Sequence, residues 1–177
     1  MPGTITYQQD GPVVSIIMDD GKANVLGLAT LEDLTQALRQ AQSEASTIVL
    51  TGRPGMFSGG FDLAVFKRDP AELVQMLEAG ARLAELLKSC PRPVVAACTG
   101  HAIAMGAFLL LSADLRIGVV VAPELLMQEA QKQAEQLAGL PANAFSATKL
   151  RLEGPGLQAL RKAIEQDLQD WRRLAVS

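Results

Sequence analysis

One pattern occurs twice in this chain and limits what it can fold into: a short apolar strand, a glycine-containing loop and then a helix. The first copy runs from residues 47–50 through a loop at 56–63, and the second from residues 94–97 through a loop at 99–106. Strands that alternate with helices are typical of α/β proteins with a largely parallel sheet. We therefore predict an α/β fold.

Hydrophobic periodicity and turn residues predict the remaining elements. Strands are expected at 13–18 and 115–121, and helices at 30–41, from Asp69–Pro70 to about residue 90, at 107–113 and at 123–137. Thr30 is the expected cap of its helix. Gly154, Pro155 and Gly156 are expected to separate a short helix from the last one, because proline and glycine interrupt helices. Residues 1–121 should form the core, and residues 122–177 a helical C-terminal region.

Composition argues against several classes of protein. Apolar residues make up 49% of the 177 residues, as in globular proteins, and the net charge of −3 gives little support for nucleic-acid binding. The two cysteines have no metal-binding spacing, so we predict no metal site and a reducing compartment. The apolar stretch at 102–111 is too short to cross a bilayer, and no secretory signal is recognisable at the N-terminus. These observations favour a cytoplasmic protein that is not attached to a membrane.

The two glycine loops could supply an oxyanion site. A glycine loop that opens a helix exposes backbone N–H groups at the positive end of the helix dipole. Two such loops side by side could direct two N–H donors at one oxygen, and each donor is worth ~3 kcal/mol of transition-state stabilisation. An enolate formed from a thioester needs a site of this kind. Loops of this type also serve as ordinary tight turns, and the spacing alone leaves both interpretations open.

Several segments, taken in order, resemble the crotonase (enoyl-CoA hydratase/isomerase) superfamily. The segment 21–26 is similar to the region that touches the adenine end of coenzyme A, and residues 50–52 with 56–63 are similar to the first oxyanion loop. Residues 92–106 and 113–116 resemble the second loop with its helix. The tail at 119–126 and 147–149 is similar to the entry into the family's C-terminal helices. The quoted segments are GKANVL, LTG, MFSGGFDL, RPVVAA, TGHA, MG, ADLR, VVVAPELL and ATK.

The resemblance implies a ββα spiral fold with a helical C-terminal region, shortened relative to the family. It implies an acyl-CoA substrate, no tightly bound cofactor, a role in fatty acid metabolism and assembly as a homo-trimer or hexamer. The oxyanion donors would be the backbone N–H groups of Phe61 and Met105. The residues implied in coenzyme A binding are Lys22, Ala23, Asn24, Gly60, Phe61, Asp62 and Leu63.

The sequence departs from the family at two places. Hydratases of the family carry a glutamate two residues after the last glycine of the second loop, where this chain has Phe108. Phenylalanine cannot transfer a proton, so the sequence favours an isomerase over a two-glutamate hydratase. The segment that normally carries the second glutamate is missing after about Gly118. We therefore expect weak turnover, and a non-catalytic acyl-CoA-binding or assembly protein is the alternative.

Other candidate residues have simpler explanations. Ser58 invites a serine-hydrolase interpretation, but the glycine that a G-x-S-x-G elbow requires before it is absent. His101 is the only histidine and could be a base, although a structural role is the more frequent one for a histidine among small apolar residues. The glutamates of the 123–137 helix are expected in solvent, as is a basic C-terminal patch that could instead contact coenzyme A or a partner. These residues are Glu124, Glu129, Glu135, Arg161, Lys162, Arg172 and Arg173.

Overall fold

A five-stranded sheet forms the centre of the fold. The computed structural model describes residues 4–118 and 123–176. Nine strands occur in these ranges: β1 (Ile5–Asp10), β2 (Val13–Met18), β3 (Val25–Leu26), β4 (Thr47–Thr51), β5 (Gly55–Ser58), β6 (Gly60–Phe61), β7 (Val94–Ala97), β8 (Gly100–Ala102) and β9 (Leu115–Ile117). The main sheet has the order β1-β2-β4-β7-β9, and only the β1–β2 pair is antiparallel.

Two short parallel pairs lie outside the main sheet. Strand β3 pairs with β6, and β5 pairs with β8. The helices are α1 (Leu28–Glu44), α2 (Pro70–Lys88), α3 (Met105–Ser112), α4 (Leu126–Ala138) and α5 (Ala142–Val176), with single 3₁₀ turns at Val65–Lys67 and Pro123–Leu125. No helix in the described ranges has the length and apolarity required to cross a membrane.

Both faces of the main sheet are covered, which explains its apolar strands. In β4, Ile48 and Leu50 join a cluster with α1, α2 and α3, whereas Val49 joins a second cluster with α4. Side chains alternate between the two faces of a strand, so a strand covered on both sides has no polar face. The parallel α/β fold predicted from the sequence is confirmed.

The observed element boundaries agree in part with those predicted from the sequence. The strand at 13–18 is confirmed, and so is the Asp69 cap, whose carboxylate accepts from the N–H of Ala71 at 2.8 Å. Thr30 is not a cap, which corrects the prediction: α1 is capped by Gly27, whose carbonyl accepts from Leu31 N–H at 3.0 Å. Strand β9 ends at Ile117. The predicted continuation through 119–121 lies outside the described residues.

Helix α5 corrects a second prediction, since it continues through Pro155 without a break. Ion pairs on both sides of the proline attach α5 to α2: Lys88 pairs with Glu153 at 2.9 Å, and Arg161 with Glu85 at 2.6 Å. Burial of an apolar stripe along the same helix adds to these contacts. The buried stripe consists of Leu157, Ile164 and Leu168. Tertiary packing therefore overrides the local cost of proline and glycine.

Candidate active site

The first loop presents the N–H group of Phe61 on the side of β6 that faces away from β3. Asp62 donates its N–H to the carbonyl of Leu26 at 3.2 Å and so points toward β3. Neighbouring N–H groups in an extended strand point to opposite sides, which directs the Phe61 N–H away from this ladder. Gly60 precedes it with a φ of 84°, a left-handed conformation that favours glycine.

The second loop ends in a tight turn that opens α3. The N–H of Gly106 donates to the carbonyl of Ile103 at 2.9 Å, and Ala104 between them has φ 47° and ψ −117°. These angles match the first central position of a type II′ turn, which glycine normally occupies. Met105 is the first residue of α3, and its N–H therefore has no intrahelical acceptor.

The two loops lie in contact at Gly60. A Cβ atom at this position would lie 2.7 Å from the carbonyl oxygen of Ile103 and 3.3 Å from the amide nitrogen of Met105. Only glycine can occupy such a position without displacing the neighbouring backbone. The residue before Phe61 therefore lies against the amide of Met105.

Ser58 belongs to the first loop, contacts the second loop and is fully buried. Its hydroxyl donates to the carbonyl of Asn24 at 2.8 Å and accepts from the N–H of Gly60 at 3.1 Å. Its carbonyl accepts from Ile103 N–H at 2.9 Å. A hydroxyl that is buried and bonded to backbone on both sides is poorly placed to attack a substrate, and the serine-hydrolase interpretation is therefore wrong for Ser58.

Asn24 attaches the segment 20–24 to the first loop. The side chain is 1% exposed, and its amide donates to the carbonyls of Met18 at 2.8 Å and of Met56 and Phe57, both at 3.2 Å. Its φ of 50° is left-handed, a conformation that asparagine tolerates better than most residues. The side chain therefore has a structural role. The backbone of Asn24 is bonded as well, because its N–H donates to Asp20 and its carbonyl accepts from Ser58.

Asp20 shapes the same segment through its carboxylate. It accepts from the N–H groups of Lys22 at 2.7 Å, Asn24 at 2.9 Å and Val25 at 3.2 Å. Partial burial alone would raise the pKa of Asp20, but the hydrogen bonds from Asn24, Lys22 and Val25 outweigh it, and the pKa is lowered. The turn is therefore most stable with Asp20 ionised.

The residues predicted to bind coenzyme A form two adjacent segments. Ala23 accepts from Gly59 N–H at 2.7 Å, and β3 pairs with β6, so residues 22–24 lie beside residues 60–63. The side chains of Lys22 and Leu63 are exposed, while Asp62 accepts from Ala64 N–H at 2.9 Å. The structure thus brings together all of the segments that the sequence singled out for this role.

Phe108 lies on the solvent side of α3, with 60% of its surface exposed. Ile103 and Leu111 are exposed as well. His101 is an exposed residue of β8. The glutamates of α4 belong to a helix that packs on the opposite face of the main sheet from α3.

The C-terminal arginines contact α2. Arg161 pairs with Glu85, and Arg172 with Glu78 at 3.1 Å. Arg82 of α2 pairs in turn with Glu165 of α5. Two of the four residues of the basic C-terminal patch, Arg161 and Arg172, therefore take part in the contact between α5 and α2.

Comparisons with known proteins identify the family. A family model described as Enoyl-CoA hydratase/isomerase matches residues 8–119, which is more than half of the chain. The chain therefore belongs to the enoyl-CoA hydratase/isomerase family, and the resemblance to the crotonase superfamily is confirmed.

Relatives in this family carry both activities in their names. A Rhodobacter capsulatus protein named "Probable enoyl-CoA hydratase" is 38% identical over 116 residues, which cover 64% of this chain and 45% of the relative. The chain thus spans less than half the length of this curated relative. The crystal structure of an enoyl-CoA hydratase from Mycobacterium marinum superimposes with a TM-score of 0.86 at 32% identity, over 92% of this chain and 97% of the other. An enoyl-CoA isomerase from Mycobacterium tuberculosis gives a TM-score of 0.86 at 31% identity, over 93% and 97%.

Proposed function

We propose that this chain binds an acyl-CoA thioester and stabilises the enolate of its acyl group with the backbone N–H groups of Phe61 and Met105. One observation carries the proposal: a Cβ on Gly60, the residue before Phe61, would lie 3.3 Å from the amide nitrogen of Met105. This contact between the two loops supports the proposal that both donors reach one oxygen.

The chemistry follows from where charge develops. Removing a proton next to a thioester carbonyl places negative charge on the carbonyl oxygen. Two fixed N–H donors stabilise that charge without reorganisation, and each is worth ~3 kcal/mol in the transition state. Met105 opens α3, so its N–H also lies at the positive end of that helix dipole.

Coenzyme A would lie along the two neighbouring segments at 22–24 and 60–63. The exposed ammonium of Lys22 could pair with a phosphate, and the backbone N–H groups of the loops could hold the pantetheine amides. Coenzyme A is then part of the substrate, and the proposal requires no tightly bound cofactor.

Isomerisation is the reaction that these residues favour. Hydration of a double bond needs a water molecule held by two carboxylates, whereas moving a double bond needs one group that carries a proton between two carbons. Phe108 occupies the position that would supply one of the two carboxylates. A proton shuttle needs a single carboxylate, and the isomerase proposal therefore does not depend on a carboxylate at position 108.

Binding without turnover is the second candidate function. The exposed phenyl ring of Phe108 supports it, because this ring provides no proton and leaves the surface beside the second loop apolar. From the family resemblance we further propose a cytoplasmic role in fatty acid metabolism and assembly as a homo-trimer or hexamer. Light scattering on the purified protein measures the assembly, and a monomeric mass would contradict it.

Two assays test the proposed function. Calorimetric titration with a short 2-enoyl-CoA should give tighter binding than free coenzyme A, because only the thioester presents a carbonyl to the donors. A 3-enoyl-CoA to 2-enoyl-CoA conversion assay then separates the two candidates, since turnover supports the isomerase and binding alone supports the second function. Equal affinity for the thioester and for free coenzyme A would contradict the oxyanion site.

A further inference from the structure

Ser58 is part of the loop that carries the first proposed donor and contacts the loop that carries the second. Its hydroxyl bonds to Gly60, the neighbour of Phe61, and its carbonyl bonds to Ile103, two residues before Met105. We infer that Ser58 is a positioning residue that sets the direction and spacing of the two donor amides. This inference rests on the proposed function and adds a residue to it.

The hydroxyl of Ser58 has one orientation only. A carbonyl oxygen can only accept, so the hydroxyl hydrogen must point to the carbonyl of Asn24, at 2.8 Å. A lone pair then remains for the N–H of Gly60, at 3.1 Å. A hydroxyl both donates and accepts, whereas a methyl group does neither and a thiol does both weakly. The position therefore requires the chemistry of serine.

The bond to Gly60 controls the first donor. Glycine has more backbone freedom than any other residue, and Gly60 adopts a φ of 84°. The peptide group between Gly60 and Phe61 carries the Phe61 N–H, and its direction depends on the dihedral angles of Gly60. Holding the N–H of Gly60 reduces that freedom and fixes the direction of the donor.

The main chain of Ser58 controls the second donor. Its carbonyl accepts from Ile103 N–H at 2.9 Å, and a Cβ on Gly106 would lie 2.7 Å from the same carbonyl oxygen. Ile103 and Gly106 are the two ends of the turn that contains Met105. Ser58 therefore contacts the second loop on both sides of its donor, and the distance between the loops is set at this residue.

The variant Ser58→Ala distinguishes an effect on the direction of the donor amide from an effect on the affinity for coenzyme A. It removes the hydroxyl but leaves the carbonyl bond to Ile103 in place, so the loops stay together while the first donor loses its restraint. The probe is acetoacetyl-CoA, a 3-ketoacyl thioester that ionises to an enolate with near-ultraviolet absorbance. We expect Ser58→Ala to lower the enolate-to-ketone ratio of the bound probe ~10-fold, and to change the dissociation constant of free coenzyme A less than ~2-fold.

Two further variants complete the design. Ser58→Cys should give an intermediate ratio, because a thiol donates and accepts weakly, and this partial rescue would not follow from a role in packing alone. Thr47→Val is the matched control. Thr47 is also fully buried, but its hydroxyl is in β4 and has no hydrogen-bond partner among residues 4–118 and 123–176. This variant should therefore match the wild-type ratio.

The outcomes distinguish the inference from the proposed function. Equal enolate ratios for wild type and Ser58→Ala would overturn the role of Ser58 and leave the oxyanion site intact. No enolate on the wild type would contradict the proposed function, and amide hydrogen exchange in the ligand-free protein then decides the role of Ser58. Faster exchange at Phe61 in Ser58→Ala but not in Thr47→Val supports this role, and unchanged exchange overturns it.

Discussion

Gly80 of α2 lies directly against the ring of Phe61. A Cβ atom on Gly80 would come within 2.6 Å of two ring carbons of Phe61 and within 3.4 Å of the sulfur of Met105. The helix thus supports the side chains of both proposed donor residues from one position. Gly80 is already in close contact with both side chains. A change in the packing of α2 at this position would therefore move the residues that carry the proposed donors.

Gly80→Ala should destabilise the protein although alanine is the better helix former. The propensity gain is about 0.5–1 kcal/mol, whereas overpacking a close contact costs about 1–3 kcal/mol. We expect the cost of overpacking to exceed the gain in helix propensity, because the atoms in contact belong to a rigid ring. Urea unfolding measures the stability, and the ionisation of bound acetoacetyl-CoA should fall as Phe61 moves.

Gly156→Ala is the control for that substitution. Gly156 is also inside a helix, but a Cβ there would meet no described atom within 4 Å other than those of its chain neighbours and its own helix backbone. The same change should stabilise the protein by about 0.5–1 kcal/mol. A stabilised Gly80→Ala variant with unchanged ligand ionisation would show that the contact with Phe61 has no role in the site.

Ala104→Gly should stabilise the protein. Ala104 has φ 47° and ψ −117°, which L-amino acids rarely adopt and which cost of order 1–3 kcal/mol. Glycine removes that strain and costs about 0.5–1 kcal/mol in conformational entropy, so a net gain of about 1 kcal/mol is expected. Denaturant unfolding measures the difference. A destabilised variant would mean that the methyl group of Ala104 contributes packing that exceeds the strain.

Phe108→Glu should raise isomerase turnover by ~10-fold or more, since it places a carboxylate beside the second loop, where a positioned proton-transfer group contributes ~100-fold or more. The side chain is exposed, so the change should cost little stability. Phe108→Gln is the matched control, because glutamine has nearly the same shape as glutamate but cannot accept the proton. Equal turnover in the two variants would show that proton transfer at this position does not reach the acyl group.

Asp20→Asn should reduce the dependence of stability on acid pH. The pKa of Asp20 is lowered on folding, so the folded protein binds fewer protons than the unfolded chain does. The contribution of Asp20 is therefore complete above the unfolded aspartate pKa of about 3.9 and is lost as the pH falls through the folded value.

At neutral pH, Asp20→Asn should cost about 1 kcal/mol, because a carboxylate accepts N–H bonds more strongly than an amide oxygen. Unfolding measured between neutral pH and pH 3 should show a shallower loss of stability for the variant. Asp10→Asn, at an exposed position in β1, is the control for removal of one charge. Parallel stability curves for wild type and Asp20→Asn would contradict the role of this carboxylate.

The sequence predicted those parts of the fold that depend on local pattern. Apolar runs at 13–18, 47–50 and 94–97 indicated buried strands, because a sheet covered on both faces leaves no polar side. The continuous helix α5 was not predictable, since Pro155 and two glycines are local signals for an interruption. Ion pairs between α5 and α2 outweigh these local signals. They depend on residues distant in sequence, such as Lys88 and Glu85.

The site was predictable where it depends on backbone geometry. The glycine-rich loops indicated where donors could lie, and the family resemblance implied Phe61 and Met105. The structure places these two loops in contact, and the role of the two amides stays a prediction. Two supporting residues were missed. The sequence suggested only a nucleophile role for Ser58 and no role in the site for Gly80. A glycine inside a helix costs about 1 kcal/mol relative to alanine, and this cost was a signal that another group packs closely there.

The most direct measurement is a crystal structure of the protein with bound acetoacetyl-CoA. The central claim predicts that the thioester oxygen lies about 2.7–3.1 Å from the amide nitrogens of both Phe61 and Met105. A thioester oxygen that contacts neither nitrogen, or a coenzyme A bound away from residues 22–24 and 60–63, would contradict it.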